Sequence, residues 1–588
     1  MASAKPNVII VMTDDQGYGD LGCHGNPVAY TPHLDALHDD AVRLTDFHAA
    51  PMCTPSRGQL LTGLDAARNG AVNVSSGRTL LRPDVQTMAD RFRESGYRTG
   101  LFGKWHLGDN YPFRPRDRGF QETLWFPSSH IHSLPDYWEN DYFDDVYCRN
   151  GTRERYEGYC TEVFFREAMA WMRTCIDKQE PFFAYLPTNA PHAPLWVPQR
   201  DRELIESVFA ENEHLLPRIE PDLRARIIRF LAMIHTVDRQ VGALREFLAA
   251  QGADRNTILM FMTDNGSTFG PTYYNAGMKG AKCSLWEGGH RVPCFIHWPD
   301  GALGAPRNIE GLTQMQDILP TLIELCGLQP ATGMPLDGIS LASVLRDEEP
   351  VPPDRILAVN YSRMPRFDYP TPDCEAVIRR EGSAVLWKRW RLLEGTALYD
   401  LDSDPLQERN VIEQYPDIAA RMTDALDTWW RDVEPVANQV QRVVIGSEEE
   451  NPMMLSACEW RDVFVDQQRQ VRVGTRRNSY WHLEVARAGT YRFELRRWPR
   501  ESGLKLTEAC AAAQVTDGEL DEGVALPIAQ ARLMIARHHY VQKTSPDDQA
   551  AVFTLQLDAG PTLLHTWFDD TRREPICGAY YVYVSRVE

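Results

Sequence analysis

Near its start the chain carries an unbroken apolar run, Val-Ile-Ile-Val-Met at residues 8–12, set between Asn7 and the polar triplet Thr13-Asp14-Asp15. A short continuous apolar run that stops at polar residues predicts a strand buried on both faces, as in a parallel sheet. The pattern returns over residues 257–262, ahead of Thr263-Asp264-Asn265-Gly266, and over 181–186, which lead to Asn189-Ala190-Pro191-His192. Apolar residues at helical spacing predict helices over 85–94, 164–176, 223–248 and 317–326. Strands alternating with helices predict an α/β fold, with a large, mostly parallel central sheet flanked by helices. Ligands of such sheets sit at the C-terminal ends of the strands. Three of these strands end in residues suited to metal binding or to acid/base work.

The period changes after about residue 440. Residues 471–473, 481–485, 491–495, 551–557 and 580–584 alternate apolar and polar, which predicts a smaller antiparallel β-sheet or sandwich domain. The expected division is an α/β domain over 1–440 and a β domain over 441–588. Covering an edge of the core, or building an oligomer interface, is the expected role of the second domain, ahead of binding sugars. Glu448, Glu449 and Glu450 read as the linker between the two.

Charge narrows the choice of partner. The 588 residues carry a net charge of −20, which argues against nucleic acid and means that an anionic substrate needs a local basic pocket. No apolar run approaches the ~18 residues of a membrane helix, so a membrane partner is not expected. The twelve cysteines are scattered without a CxxC pair and read mostly as buried thiols. The opening Met-Ala-Ser-Ala-Lys-Pro-Asn runs straight into a strand, which reads as a cytoplasmic protein. A periplasmic or secreted protein whose leader has been removed stays open.

Asp14, Asp15, Asp264 and Asn265 offer oxygen ligands at equivalent strand ends. An oxygen-only set selects a hard cation, calcium or magnesium, over zinc. Either pair alone would read as an ordinary turn. Two pairs far apart in the chain point instead to one shared site.

The segment Cys53-Thr54-Pro55-Ser56-Arg57, continuing Gly58-Gln59-Leu60-Leu61-Thr62-Gly63, resembles the signature of the type I, formylglycine-dependent sulfatases, arylsulfatase-like enzymes of the alkaline phosphatase-like superfamily. A second signature of that family runs from Gly96 to Trp105-His106, departing at Phe102, where the family usually has a smaller or aliphatic residue. The resemblance continues through Asn189–His192, Thr263–Gly266, Lys282, Glu287–Pro293 and Leu398–Leu401 to about residue 435, roughly three quarters of the chain.

That resemblance implies hydrolysis of aryl or carbohydrate sulfate esters to alcohol and inorganic sulfate. It implies conversion of Cys53 to formylglycine by a separate maturation enzyme, and calcium as the cation, with magnesium open. Asp14, Asp15, Asp264, Asn265 and the modified Cys53 would then be the metal ligands. Lys104 and Lys282 would hold the sulfate oxygens, and Arg57 would orient the nucleophile. His106 would assist as a base and His192 would protonate the departing alcohol.

His33, His38, His48, His130, His132 and His235 read as ordinary surface or core histidines. His24, close to the first acidic strand end, is a candidate pocket residue. Trp105 reads equally as packing or as a substrate platform. The aromatic stretch 125–159, short on periodicity, is expected to shape the pocket. The competing readings are a phosphonate monoester or phosphodiester hydrolase on the same scaffold and, more distantly, an inactive carbohydrate-binding protein. Homo-oligomerisation stays open.

Overall fold

A computed structural model of the chain describes residues 5–330, 333–362 and 374–587. Its centre is a ten-stranded sheet. Five strands at its middle run parallel, in the spatial order Thr257–Thr263, Asn7–Thr13, Phe182–Pro187, Arg98–Lys104 and Glu122–Phe126. The apolar runs form them because both faces are covered. Val8, Ile10 and Met12 point into one core and Ile9 and Val11 into the other, all at 0 % exposure. Antiparallel strands close both flanks: Cys294–His297 beside Thr257–Thr263, and Val146–Arg149 beside Glu122–Phe126.

The helices follow the periodicity, with shifted ends. The expected 223–248 helix spans Pro221–Ala250, with proline in its first turn, and the 164–176 helix spans Cys160–Asp177. The helix expected from residue 85 begins at Met88. There Thr87 and Asp90 form a capping box, with Thr87 N–H donating to Asp90 Oδ2 at 3.0 Å and Asp90 N–H to Thr87 Oγ1 at 3.2 Å. The stretch 125–159 is more regular than its sequence suggests, since Val146–Arg149 and Thr152–Arg155 extend the main sheet.

Beyond the helix Pro416–Val433 the chain builds two further sheets, of six and four strands, around one core that includes Trp481, Phe493, Leu533 and Val582. On this basis we propose a division near residue 440. Leu80, Phe113, Leu134 and Trp138 belong to the same core, so the two halves are fused across a shared apolar layer.

Two expectations here are corrected. Residues 471–473 are not a strand, for Gln468–Arg472 is a helix burying Gln468, Val471 and Arg472. Three alternating positions are too few to separate the two periods, and the Gln470 side chain caps the turn by accepting from Asp466 N–H at 2.8 Å. Glu450 is not a solvated linker residue. It accepts from Tyr111 N–H at 2.7 Å and pins the second half to the first.

Candidate active site

The strand ends converge as the pattern requires. Asp14 and Asp15 follow the Asn7–Thr13 strand, Asp264 and Asn265 follow Thr257–Thr263, and Lys104 closes Arg98–Lys104. His106 lies two residues further on and His192 follows Phe182–Pro187. Cys53 opens the helix Cys53–Thr62, with Arg57 one turn along the same face. Two glycines permit the approach. A side chain at Gly103, whose φ is +131°, would collide with the Pro187 carbonyl. One at Gly266 would collide with the Gly288 carbonyl, so only glycine lets the segment that carries Lys282 lie against the Asp264 strand end.

Negative and positive groups alternate around residue 53. Its Sγ lies 3.3 Å from Asp14 Oδ1, 3.7 Å from Asp15 Oδ1 and 3.4 Å from Lys282 Nζ. Lys104 Nζ donates to Asp14 Oδ2 at 2.6 Å, and Lys282 Nζ pairs with Asp15 Oδ1 at 2.6 Å. Arg57 donates to Asp264 Oδ2 through Nε at 3.1 Å and Nη2 at 2.7 Å, and approaches Asp14 Oδ1 at 3.7 Å. All of these side chains are buried except that of Lys282, which is 16 % exposed.

The donor set fits a divalent cation. Ligand atoms of Asp14, Asp15, Cys53 and Asp264 all lie within 4.8 Å of one another. Asn265 donates from Nδ2 to Asp15 Oδ1 at 3.1 Å, while its Oδ1 is buried with no partner. Burial and the neighbouring Asp14 raise the Asp264 carboxyl to about 6 in spite of Arg57. An acceptor with nothing to accept, among crowded carboxylates, is the environment that a hard cation satisfies.

Electrostatics also bear on the thiol and the two histidines. Burial, then Asp14, pushes the Cys53 thiol far above its usual range. An unmodified thiol here stays protonated and is a poor nucleophile. His106 donates from Nε2 to the Val74 carbonyl, 2.9 Å away; the carbonyl only accepts, so Nε2 carries the proton. Its Nδ1 is buried without a partner, and burial with Lys104 nearby holds the ring neutral. His192 Nδ1 donates to the Ala193 carbonyl at 2.5 Å, turning Nε2 toward Asp15 Oδ2 at 3.8 Å. Burial, partly offset by Asp15 and reinforced by Lys282 and Lys104, pushes His192 down to about 3.

Outside the charged cluster the pocket opens past His192 into a cavity of about 290 Å³. His130, His132, Trp196, Gln467 and Arg469 line it. His130, expected to be an ordinary histidine, stacks on His192 with ring centroids 5.2 Å apart, and His132 stands edge-on to Trp196. His24, a candidate for this pocket, is elsewhere: it stacks on Tyr18 at 3.8 Å and belongs to a separate cluster. Trp105 is packing, fully buried with its Nε1–H on the Phe113 carbonyl at 2.8 Å.

Gln467 and Arg469 come from the far half of the chain, as does the hairpin Ala513–Val515/Gly518–Leu520 on the same wall. At the hairpin tip Asp517 accepts from Val197 N–H at 3.0 Å and pairs with Arg202 at 3.0 Å and with Arg229.

With this geometry in place, the sulfatase family profile matches residues 6–328, more than half of the chain. The chain belongs to the sulfatase family. An arylsulfatase of Klebsiella aerogenes is 28 % identical over 432 residues, covering 58 % of this chain and 92 % of that one. An N-acetylgalactosamine-6-sulfatase of Rattus norvegicus is 29 % identical over 369 residues, with 58 % of this chain spanning 66 % of that one. Among solved structures, Ps i-CgsB in complex with k-i-k-neocarrahexaose superposes with a TM-score of 0.62 at 26 % identity, covering 74 % of this sulfatase and 94 % of that chain.

The chain is therefore a sulfatase that hydrolyses sulfate esters, on an alkaline phosphatase-like fold. Among its described residues no helix is long and apolar enough to cross a membrane.

Proposed function

We propose that this sulfatase removes sulfate from carbohydrate esters, through a formylglycine made from Cys53 by a separate maturation enzyme and a calcium ion held at the strand ends. The observation that carries the reading is the placement of residue 53 against three carboxylates and three cations, Asp14, Asp15, Asp264, Lys104, Lys282 and Arg57. Asp14, Asp15, Asp264, Asn265 and residue 53 would hold the ion. When formed, formylglycine supplies a hydrated aldehyde, one hydroxyl attacking sulfur and the other expelling sulfate, a release route that serine lacks.

The chain's own residues do the remainder. Lys104 and Lys282 neutralise the sulfate oxygens as charge builds on the leaving oxygen. Arg57 stays locked to Asp264 and fixes the helix that presents residue 53. His106 Nδ1, unpartnered, takes a proton from the nucleophile. His192 Nε2 faces the cluster at the mouth of the alcohol-side cavity, placed to return a proton to the alcohol. In the resting site it is neutral with Nε2 bare; a bound anion offsets the lysines, so that Nε2 takes a proton from solvent and passes it to the alcohol.

A carbohydrate alcohol is favoured by the cavity. It is lined by an indole, three imidazoles and polar and charged side chains from both halves of the chain, a mixture that stacks on a sugar face and hydrogen-bonds its hydroxyls. The N-acetylgalactosamine-6-sulfatase relative and the neocarrahexaose complex point the same way. The test is sulfate release by matured, calcium-loaded enzyme from a panel of sulfated saccharides, with nitrophenyl sulfate and nitrophenyl phosphate alongside. Turnover of saccharide sulfates is expected to exceed both. A preference for the phosphate would favour a phosphohydrolase, and sulfate release confined to the aryl ester would sink the carbohydrate reading.

A further inference from the structure

The turn beyond Asp14 and Asp15 carries a second group of ligand-type side chains. Cys23 and His24 lie on the short turn Gly22–His24 and His38 on the helix Pro32–Asp40. One ligand atom from each of the three lies within 4.8 Å of those of the other two. All three residues are half-buried, within reach of an ion from solvent.

Their hydrogen bonds prepare both rings in the same way. His24 Nδ1 lies 2.6 Å from the Tyr18 carbonyl, which can only accept, so Nδ1 carries the proton and Nε2 keeps its lone pair. His38 Nδ1 lies 3.0 Å from Asp39 Oδ1, which assigns the same tautomer. An imidazole whose outer nitrogen donates to a carbonyl or carboxylate is the arrangement found behind metal-bound histidines. The Tyr18 ring lies flat on His24, at 3.8 Å and 9° between planes, and fixes its orientation. Asp35 Oδ1 accepts from Cys23 N–H at 2.8 Å and from Thr31 Oγ1–H at 2.9 Å, holding the turn against the helix.

The charges around the group are mixed. Asp35 and Asp39 face it from the helix, and Arg43 and Arg291 from the sheet side. Both guanidiniums already have partners, Arg43 in Asn308 Oδ1 and the His38 carbonyl and Arg291 in the Thr45 carbonyl and the Tyr18 ring.

We propose that Cys23, His24 and His38 form a second metal site, for a divalent transition metal of the zinc class, with solvent in the fourth position. One sulfur and two nitrogens select such an ion over calcium or magnesium, the reverse of the all-oxygen preference at the strand ends. Binding forms the metal–sulfur bond as the thiol gives its proton to solvent. The ion ties the turn to the helix behind the strand end that carries Asp14 and Asp15. Its role is structural, and it stands independently of the substrate assigned above.

Cobalt(II) titration of the full-length protein in excess calcium tests this, read by thiolate-to-cobalt charge-transfer absorbance. One equivalent is expected to give the band in the wild type and in Cys53→Ser, and none in Cys23→Ser. His38→Gln, which leaves the thiol in place, is expected to weaken cobalt and zinc binding at least about tenfold, and Asp39→Ala about tenfold. Thermal melts with and without zinc should show stabilisation by the metal in the wild type and in Cys53→Ser, and none in Cys23→Ser. No band in the wild type, a band that survives Cys23→Ser or vanishes with Cys53→Ser, or unchanged affinity in His38→Gln would overturn the site.

Discussion

The two sides of the catalytic pocket are built on opposite terms. The sulfate side is sealed and dense with charge. Its carboxylates, Arg57 and Lys104 are buried, and each pairs with an opposite charge at 2.6–3.7 Å. The alcohol side is half-open and mixes neutral rings with a few charged side chains of both signs, with His192 20 % exposed and a wall borrowed from a hairpin some three hundred residues away. A buried charge cluster tolerates no loss of a partner, because the charge left behind cannot reach water. A half-open wall can change with the substrate at little cost to the fold. On the proposed function, the chemistry is therefore tied to the rigid side and the choice of substrate to the adjustable one.

The sharpest break between the two sides is at residue 53. Cys53→Ala should lower kcat on every substrate, on the order of 10⁶-fold, the scale seen when a covalent nucleophile is removed. A substrate-dependent loss would undo the division. Lys104→Ala should cost about 10²–10³-fold in kcat, again on every ester, and Tm should fall because Asp14 loses the nearer of its two buried cations.

His192 stands on the border, and its effect should depend on the alcohol. His192→Ala should lose about 10²–10⁴-fold on sugar sulfates and far less on nitrophenyl sulfate, whose alcohol leaves without a proton. Equal losses on both would remove the acid role.

Asp517 tests the alcohol side alone. Asp517→Ala frees the hairpin tip from Arg202, Arg229 and the Val197 amide, and should raise KM for saccharide sulfates about tenfold, the equivalent of one charged hydrogen bond. The kcat on nitrophenyl sulfate should stay unchanged.

The smallest effect lies in the wall behind the cavity. Burial raises the Asp136 carboxyl from 3.8 to about 7, against the Asn140 side chain and the His132 amide that donate to it. The folded chain then holds a proton that the unfolded chain has released. This contribution to stability is full below about 3.8, declines as pH rises, and is gone above about 7. Asp136→Asn should flatten the slope of Tm against pH between 5 and 7.

The same contrast decides what could be read from the sequence. The sulfate side rests on short apolar runs that end in acids, and on motifs whose residues lie next to each other in the chain. Asp14 and Asp264 were legible because a parallel sheet brings such strand ends together, and Cys53 and Lys104 because the motifs that hold them resemble those of the family. His130 and Trp196 were not, since nothing local distinguishes a histidine stacked on His192 from one on the surface. The role of the hairpin depends on where Asp517 docks, which is a tertiary fact. The turn from Gln468 to Arg472 was misread because two periods fit three residues, and Glu450 because charge in a connecting segment reads as solvated until its partners are seen.

The depth of residue 53 also sets an order of events. With 1 % of its surface exposed, beneath Lys282 and the acidic strand ends, it offers no grip to a second protein once the chain has closed around it. Any enzyme that oxidises it has to act on the chain while it is still open. If activity depends on formylglycine as proposed, a molecule that folds first is committed to the thiol form, the active fraction of a preparation is fixed at synthesis, and metal added afterwards does not raise it.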